Sequence, residues 1–416
     1  MKHQTTIIEK GYDPQRSEGA AVPPVFRTST FIFKSAAEGK RAFEIAYGLR
    51  PLEEGESPAL IYSRVNNPNS EIVEERVGAW DGAEKSVLFS SGMGAITSAC
   101  LAYLRPGDTL FFSDPIYGGT EHLFRHVLPE FGIKVVPFPA GSDTTALANL
   151  AAVHGPPRVI FVESPANPTM QLCDMTAARE VADHFSTPER PVLLMVDNTF
   201  LGPIFCRPLS LGADLVIYSA TKFFGGHSDL VAGLAMGRAE VIAPVKNMRT
   251  ILGSSSDPDT AWLISRSLGT LQLRMEQQQR NTARLVEALR NHPKVARVYY
   301  PGLPEMGESQ VALWKRQCTG AGSVVSFDIY GGEKEAFRVL DSVRHMRLAV
   351  SLGGIETLVE HPWSMTHAAM TSAEKIQSGF TDAMIRLSVG LEDPADLLAD
   401  LEQALASDSS HRKHEA

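Results

Sequence analysis

Cysteine is scarce: four residues in 416, at positions 100, 173, 206 and 318, with no CxxC pair and no Cys/His ligand spacing. Zinc or another metal and a redox dithiol are therefore not expected, and scattered thiols in a chain of this length read as reduced residues of a cytoplasmic protein. Long apolar runs are missing too; none approaches the roughly 18 residues that a membrane helix needs. The opening MKHQTTIIEKGYDP lacks the apolar segment of a signal peptide, so a soluble chain with no membrane partner is expected. Clustered basic charge is also absent. The 39 Lys+Arg stand against 48 Asp+Glu, a net charge of −9, and without a basic stripe nucleic acid is not an expected partner, because neutralising phosphates needs clustered Lys and Arg. No internal repeat is visible.

What is present suffices for a large core: 44% hydrophobic and 21% charged residues. At 416 residues, two lobes are expected rather than one. Prolines 14, 23, 24, 51 and 58 interrupt the first stretch, so residues 1–62 read as an arm that packs on another subunit or across a neighbouring site. Its GLRPLEEGES segment is an acidic loop. Strand–helix alternation follows through residues 63–255. Ser86–Phe89, Thr109–Phe112, Lys134–Pro137, Arg158–Glu163, Val192–Asp197 and Asp214–Ser219 are short apolar runs, as expected for strands buried on both faces of a mainly parallel sheet. Ligands gather at the carboxyl ends of such strands, which directs attention to Glu163, Asp197 and Ser219. Residues 256–416 read as a smaller α+β lobe: long helices between Pro258 and His292, strands near 295–299, 323–329 and 384–388, and a closing helix Pro394–Ala406. The tail SDSSHRKHEA is expected to fray.

Three segments can carry chemistry. Ser219-Ala220-Thr221-Lys222 puts a lysine just past a buried strand, with two hydroxyls before it suited to a phosphate; taken alone, a surface lysine reads equally well. Asp197 ends a strand, where a carboxylate can pair with a cationic ring nitrogen or cap the next element. Ser90-Ser91-Gly92-Met93-Gly94 joins a strand to a helix, giving an anion site on the backbone N–H groups of Gly92 and Met93 or an ordinary tight turn. As a dinucleotide fingerprint it fails, since Thr97 stands where the third glycine belongs.

In this order the pieces closely resemble the Cys/Met-metabolism (trans-sulfuration) family of pyridoxal 5′-phosphate (PLP) enzymes, from about Gly11 to Leu401. The resemblance is carried by YSRVNNP (62–68), SSGMGAI (90–96), DPIYGGT (114–120), ESPANP (163–168), VDNTF (196–200), SATKFFGGHSD (219–229), SLGGIET (351–357), HPWSMTH (361–367) and IRLSVGLED (385–393). It implies an α/β fold of fold-type I, aspartate aminotransferase-like, with a mainly parallel sheet between helices and a smaller α+β C-terminal domain. It implies PLP bonded covalently to Lys222, which later shuttles protons, with Asp197 on the pyridine nitrogen and Tyr117 stacked on the ring as acid or base. Gly92, Met93, Ser219 and Thr221 would hold the phosphate, and Tyr62 and Arg64 would reach it from a neighbouring subunit of a homotetramer built from dimers with shared sites. Arg386 would clamp the carboxylate of a small amino-acid substrate, with Asn167 and Ser351 flanking it.

Within that family the motifs do not separate elimination from replacement at Cγ. Val350 stands where cystathionine enzymes tend to carry a glutamate before SLGG, and with HPWSMTH it resembles methionine γ-lyases. An apolar residue there would leave a distal ammonium unpaired. Against this, methionine γ-lyases usually carry a cysteine where this chain has Gly119. Their Lys–Asp pair is replaced by Arg249-Thr250, and the GLRPLEEGES loop is longer than in most relatives. The expectation is methionine-like γ-elimination, with γ-replacement on an O-acylhomoserine as the alternative. A PLP-free homologue is disfavoured by intact Lys222, Asp197 and Arg386, and a nicotinamide enzyme by the missing glycine fingerprint.

Overall fold

Strands of the larger sheet form where short runs of Val, Ile, Leu and Phe can be buried on both sides. The computed structural model describes residues 3–56 and 58–406; the expected frayed tail and Ser57 of the acidic loop lie outside them. The strands are β1 (Lys85–Phe89), β2 (Thr109–Asp114), β3 (Lys134–Pro139), β4 (Val159–Glu163), β5 (Leu193–Asp197), β6 (Leu215–Ser219) and β7 (Gly233–Gly237). They lie in the order β1-β7-β6-β5-β4-β2-β3. Strands β2 to β6 pair in parallel, and β7 is antiparallel to both β6 and β1. Alternate side chains feed two cores: Leu110, Phe112, Phe161 and Met195 on one face, Phe111, Ile160, Leu194 and Val196 on the other. That double burial is why the runs are apolar without a period of two.

Strand β7, GLAMG, carries no β-branched residue and escapes a sequence reading. Close approach explains its composition: a Cβ at Gly233 would collide with Ser91 O and lie 2.8 Å from Gly92 N. Glycine lets β7 press on the turn that leads into the helix Gly92–Tyr103.

The second sheet holds β8 (Val295–Tyr299), β9 (Val324–Ile329), β10 (Arg347–Leu348), β11 (Leu358–Glu360) and β12 (Met384–Ser388). Its order is β10-β11-β12-β9-β8, antiparallel except for the β10–β11 pair. Helices Leu271–Asn291, Gly332–Ser342 and Pro394–Ala406 share an apolar core with it. The helical stretch that begins at Pro258 is interrupted at Gly269; one helix ends at Leu268 and the next begins at Leu271.

The arm differs from the expectation that proline breaks every element. Helices His3–Glu9 and Ala36–Ala46 form in the proline-free gaps, and Ile7 is buried against Val73 and Val77 of the helix Pro68–Asp81. The acidic loop is tied down by charge: Arg41 pairs with Glu56 at 2.7 Å and Glu53 at 3.0 Å.

Candidate active site

Parallel strands deliver their last residues to one edge. Glu163, Asp197 and Ser219 end β4, β5 and β6, and Glu163 and Asp197 are register partners. Lys222 follows β6 by one tight turn, its N–H donating to Ser219 O at 3.1 Å. Its ammonium donates to Ser351 Oγ at 2.7 Å. Burial lowers the Lys222 amine to about 8, the positive charge of Arg386 adds to the lowering, and Glu360 opposes it. The lysine singled out in the sequence is thus a part-buried, partnered side chain and not a free surface one.

At the helix start, Ser91 caps by accepting from Gly94 N–H at 2.9 Å. This leaves the first N–H groups, on Gly92 and Met93, for an anion. A Cβ on Gly92 would lie 3.1 Å from Ser219 Cβ, so glycine keeps the cradle and Ser219 in contact. Thr221 is less available than expected. Its hydroxyl donates to Ala232 O at 3.1 Å and accepts from Ala232 N–H at 3.0 Å, so its one proton is engaged away from the cradle.

Asp197 is buried, and its Oδ1 accepts from Thr199 N–H at 3.0 Å and Thr199 Oγ1 at 2.6 Å; these bonds leave Oδ2 for another donor. Burial raises its pKa, and the Thr199 bonds oppose the rise. Glu163 is raised further, by burial first and then by the charge of Asp197. The neighbours therefore hold a proton on Glu163 before Asp197, and Asp197 is the more readily ionised of the two.

Glu163 also organises two loops. Its Oε2 accepts from Tyr117 N–H and its Oε1 from Asn167 N–H, both at 2.9 Å. Tyr117 is half exposed, and a Cβ on Gly119 would lie 2.7 Å from its ring and 3.2 Å from Met93 Sδ. Asn167 is buried and accepts from Arg386 Nη1 at 2.8 Å. Arg386 Nη2 donates to Ser351 O at 2.9 Å, while Nε is buried without a partner. An unpartnered donor on an arginine already held from other sides suits an incoming carboxylate.

Lys222, Ser351, Arg386, Asn167, Asp197, Ser219, Gly92 and Met93 are therefore linked through bonds or contacts. Tyr62 and Arg64 are not: both are exposed, and Arg64 donates to Thr250 O at 2.6 Å. Val350 adjoins Ser351 but is 53% exposed, so within one chain it forms no closed apolar wall. Arg249 turns inward, paired with buried Glu74 at 2.9 Å, and is not a substrate-facing replacement for the Lys–Asp pair. The rings of His122 and His126 lie 5.1 Å apart, and among the described residues no group of three His, Cys, Asp or Glu could hold a metal.

Sequence reading gave Glu163 no role and passed over Glu360, Thr199 and His367. A charge at the end of an apolar strand was the available signal for Glu360 in LVE. The residues fit PLP by their chemistry: an amine whose proton affinity burial lowers for the aldehyde, a carboxylate for the ring nitrogen, and helix-start N–H groups with a serine for the phosphate.

Residues 4–406 match the family described as Cys/Met metabolism PLP-dependent enzyme. The chain is 38% identical over 404 residues to an L-methionine gamma-lyase of Pseudomonas deceptionensis, covering 96% of each protein. It is equally 38% identical to a cystathionine gamma-lyase of Bos taurus, covering 96% of this chain and 93% of that one. Its fold is similar to the solved structure of cystathionine gamma synthase from Xanthomonas oryzae pv. oryzae in complex with aminoacrylate and cysteine, with a TM-score of 0.86, 34% identity and 98% of each chain covered.

Proposed function

The chain belongs to the Cys/Met metabolism family of PLP-dependent enzymes, and on that premise we propose that it eliminates the γ-substituent of a sulfur amino acid, as a carbon–sulfur lyase of the methionine type. The observation that carries this reading is Val350 beside Ser351, whose hydroxyl meets Lys222. Val350 supplies no carboxylate to pair with a distal ammonium, whereas a thioether asks for none.

Bound PLP supplies an electron sink for the electrons released at the substrate α carbon. Lys222 would hold the cofactor, and its amine would take and return protons at the substrate α carbon; a pKa of about 8 makes it a competent base near neutrality. Asp197 would hold the pyridine nitrogen in its protonated form. Gly92, Met93 and Ser219 would hold the phosphate. Tyr117, its backbone N–H held by Glu163, would supply a proton to the leaving group. Arg386 receives the substrate carboxylate, with Asn167 and Ser351 fixing its plane.

The proposed assembly is a homotetramer of dimers in which Tyr62 and Arg64 complete the phosphate site of the neighbouring subunit; their exposure supports it. The adjacent Cys206 and Cys318, which are free thiols, support a reducing, cytoplasmic setting. A second reading, γ-replacement on an O-acylhomoserine, is favoured by the open side of Val350, which leaves room for an incoming thiol. A product assay decides between them. Methionine, cystathionine, cysteine and O-acylhomoserine are each supplied with and without a thiol. Release of 2-oxobutanoate and ammonia from methionine supports elimination; thioether formed only from O-acylhomoserine with thiol overturns it.

A further inference from the structure

We propose that Glu360 is a positioning residue of the substrate-carboxylate site: paired with Nη1 of Arg386, it fixes the guanidinium so that Nε and the remaining Nη2 hydrogen stay free for substrate, and it supplies the counter-charge that offsets Arg386 at Lys222. The proposal rests on the reading of Arg386 as the residue that receives the substrate carboxylate.

Glu360 on β11 and Arg386 on β12 are register partners in an antiparallel pair, which brings their side chains together on one face. They are 1% and 3% exposed, and Oε1 lies 2.8 Å from Nη1. A plain structural pair would form a two-pronged fork and satisfy both groups. This one is made through a single nitrogen. It leaves Glu360 Oε2 and Arg386 Nε both buried and without partners, while Asn167 takes a second bond from Nη1 and Ser351 O one from Nη2. The guanidinium is therefore gripped at Nη1 and Nη2, and its open donors belong to one planar group, the geometry that a carboxylate accepts. A buried arginine with no counter-ion would be costly before substrate arrives, and Glu360, paired through Nη1, offsets that cost while Nε keeps no partner.

Glu360 is itself held. Thr366 Oγ1 donates to its Oε1 at 3.2 Å, and a Cβ on Gly118, beside Tyr117, would lie 2.6 Å from Thr366 O. The carboxylate thus ties the arginine to the segment packed under the Tyr117 loop. The charged or titratable groups around the pair are Lys222 after β6, Glu163 at the end of β4 and His367 after β11. Burial keeps His367 neutral, down at about 4, so Glu360 is the group that balances Arg386 at Lys222, where the two charges act in opposite directions.

The test uses holoenzyme and reads binding from the visible spectrum of the bound cofactor, with no turnover required. L-alanine, which has a carboxylate and no γ leaving group, is compared with ethylamine, which lacks the carboxylate. Glu360→Ala is expected to weaken L-alanine about tenfold while leaving ethylamine unchanged. Glu360→Gln retains an acceptor oxygen but not the charge. It is expected to hold L-alanine better than Glu360→Ala does, and to move the pH titration of the visible band to lower pH, because loss of a nearby negative charge disfavours the protonated nitrogen. The proposal is overturned if Glu360→Ala binds L-alanine as wild type does, or weakens ethylamine equally. It is also overturned if Glu360→Gln leaves the titration in place, a measurement that stands even if the alanine variant does not fold. If wild type itself binds L-alanine no better than ethylamine, the reading of Arg386 fails first and Glu360 loses its role with it.

Discussion

Lys222 and Ser351, 129 positions apart in sequence, meet through a 2.7 Å hydrogen bond from Nζ to Oγ. Ser351 holds this place with a φ of +125°, a conformation costly for a residue with a side chain and retained where the surroundings enforce it. The bond links the turn after β6 to the segment leading to β11, so the lysine and the residues expected around substrate form one assembly.

The low proton affinity of Lys222 has a direct consequence for cofactor loading. Only the neutral amine attacks the aldehyde, so the rate at which apoenzyme acquires the visible PLP band is expected to rise with pH through about 8 and then level. Lys222→Ala is expected to fold yet yield no borohydride-fixed cofactor at any pH and no turnover. A flat rate profile from pH 6.5 to 9.5, or fixed cofactor in the alanine variant, would count against the assignment.

Gly119 leaves no room for a side chain beside Tyr117, the Cβ position being 2.7 Å from the ring. Gly119→Ala is expected to push the ring aside and lower kcat/KM about tenfold through misplacement. Because Tyr117 is half exposed and can yield, stability is expected to change by less than about 1 kcal/mol. Steady-state kinetics and a urea midpoint check the two halves of this statement.

Val350 sets an expectation for specificity. Wild type is expected to process methionine-like or O-acylhomoserine substrates in preference to cystathionine. Val350→Glu is expected to move the ratio of kcat/KM values about tenfold toward cystathionine by pairing its distal ammonium. The reverse preference in wild type, or an unchanged ratio in the variant, would defeat the argument while leaving PLP chemistry intact.

Arg64 is exposed, and its proposed partner is a second chain. Inactive Arg64→Ala mixed with inactive Lys222→Ala is expected to recover about a quarter of wild-type activity, since half of randomly formed dimers would carry one intact site. Absence of recovery after verified subunit exchange would exclude a shared site of this kind.

His367 is buried and neutral, with its pKa lowered from 6.5 to about 4 chiefly by burial and then by Arg386 and Lys375. The unfolded chain takes up the proton near 6.5 and the folded chain does not. Stability from this group is therefore complete above about 6.5 and lost as pH falls toward 4. The stability advantage of wild type over His367→Gln is expected to shrink by about 2 kcal/mol between pH 7.5 and pH 5, measured by urea unfolding at both values.

The main site was legible in the sequence because its chemistry sits at strand ends. Asp197, Ser219 and Lys222 follow apolar runs whose double burial leaves them no other place than the edge of the sheet. Helix starts were legible for a similar local reason: Ser91 and Asp257 cap where their side chains can reach a backbone N–H two or three residues on. Strand β7 was hidden because its glycines answer to a neighbouring turn and not to strand propensity. The first helix of the arm was hidden because Ile7 finds its partners on Val73 and Val77, far along the chain. Glu163 and Glu360 were visible as residues but not as roles. A carboxylate acquires a role from the donors and charges that surround it once buried, and Tyr117, Asn167 and Arg386 reach those two only across strands and loops that folding brings together. Sequence by itself determined where the chemistry-bearing residues fall at strand ends, through local pattern and burial, and the cofactor class through its resemblance to a known family. Tertiary structure decided which proton Lys222 keeps, which edge of Arg386 stays open and how far Tyr117 can lean, because electrostatics and close packing depend on distance in space and not along the chain.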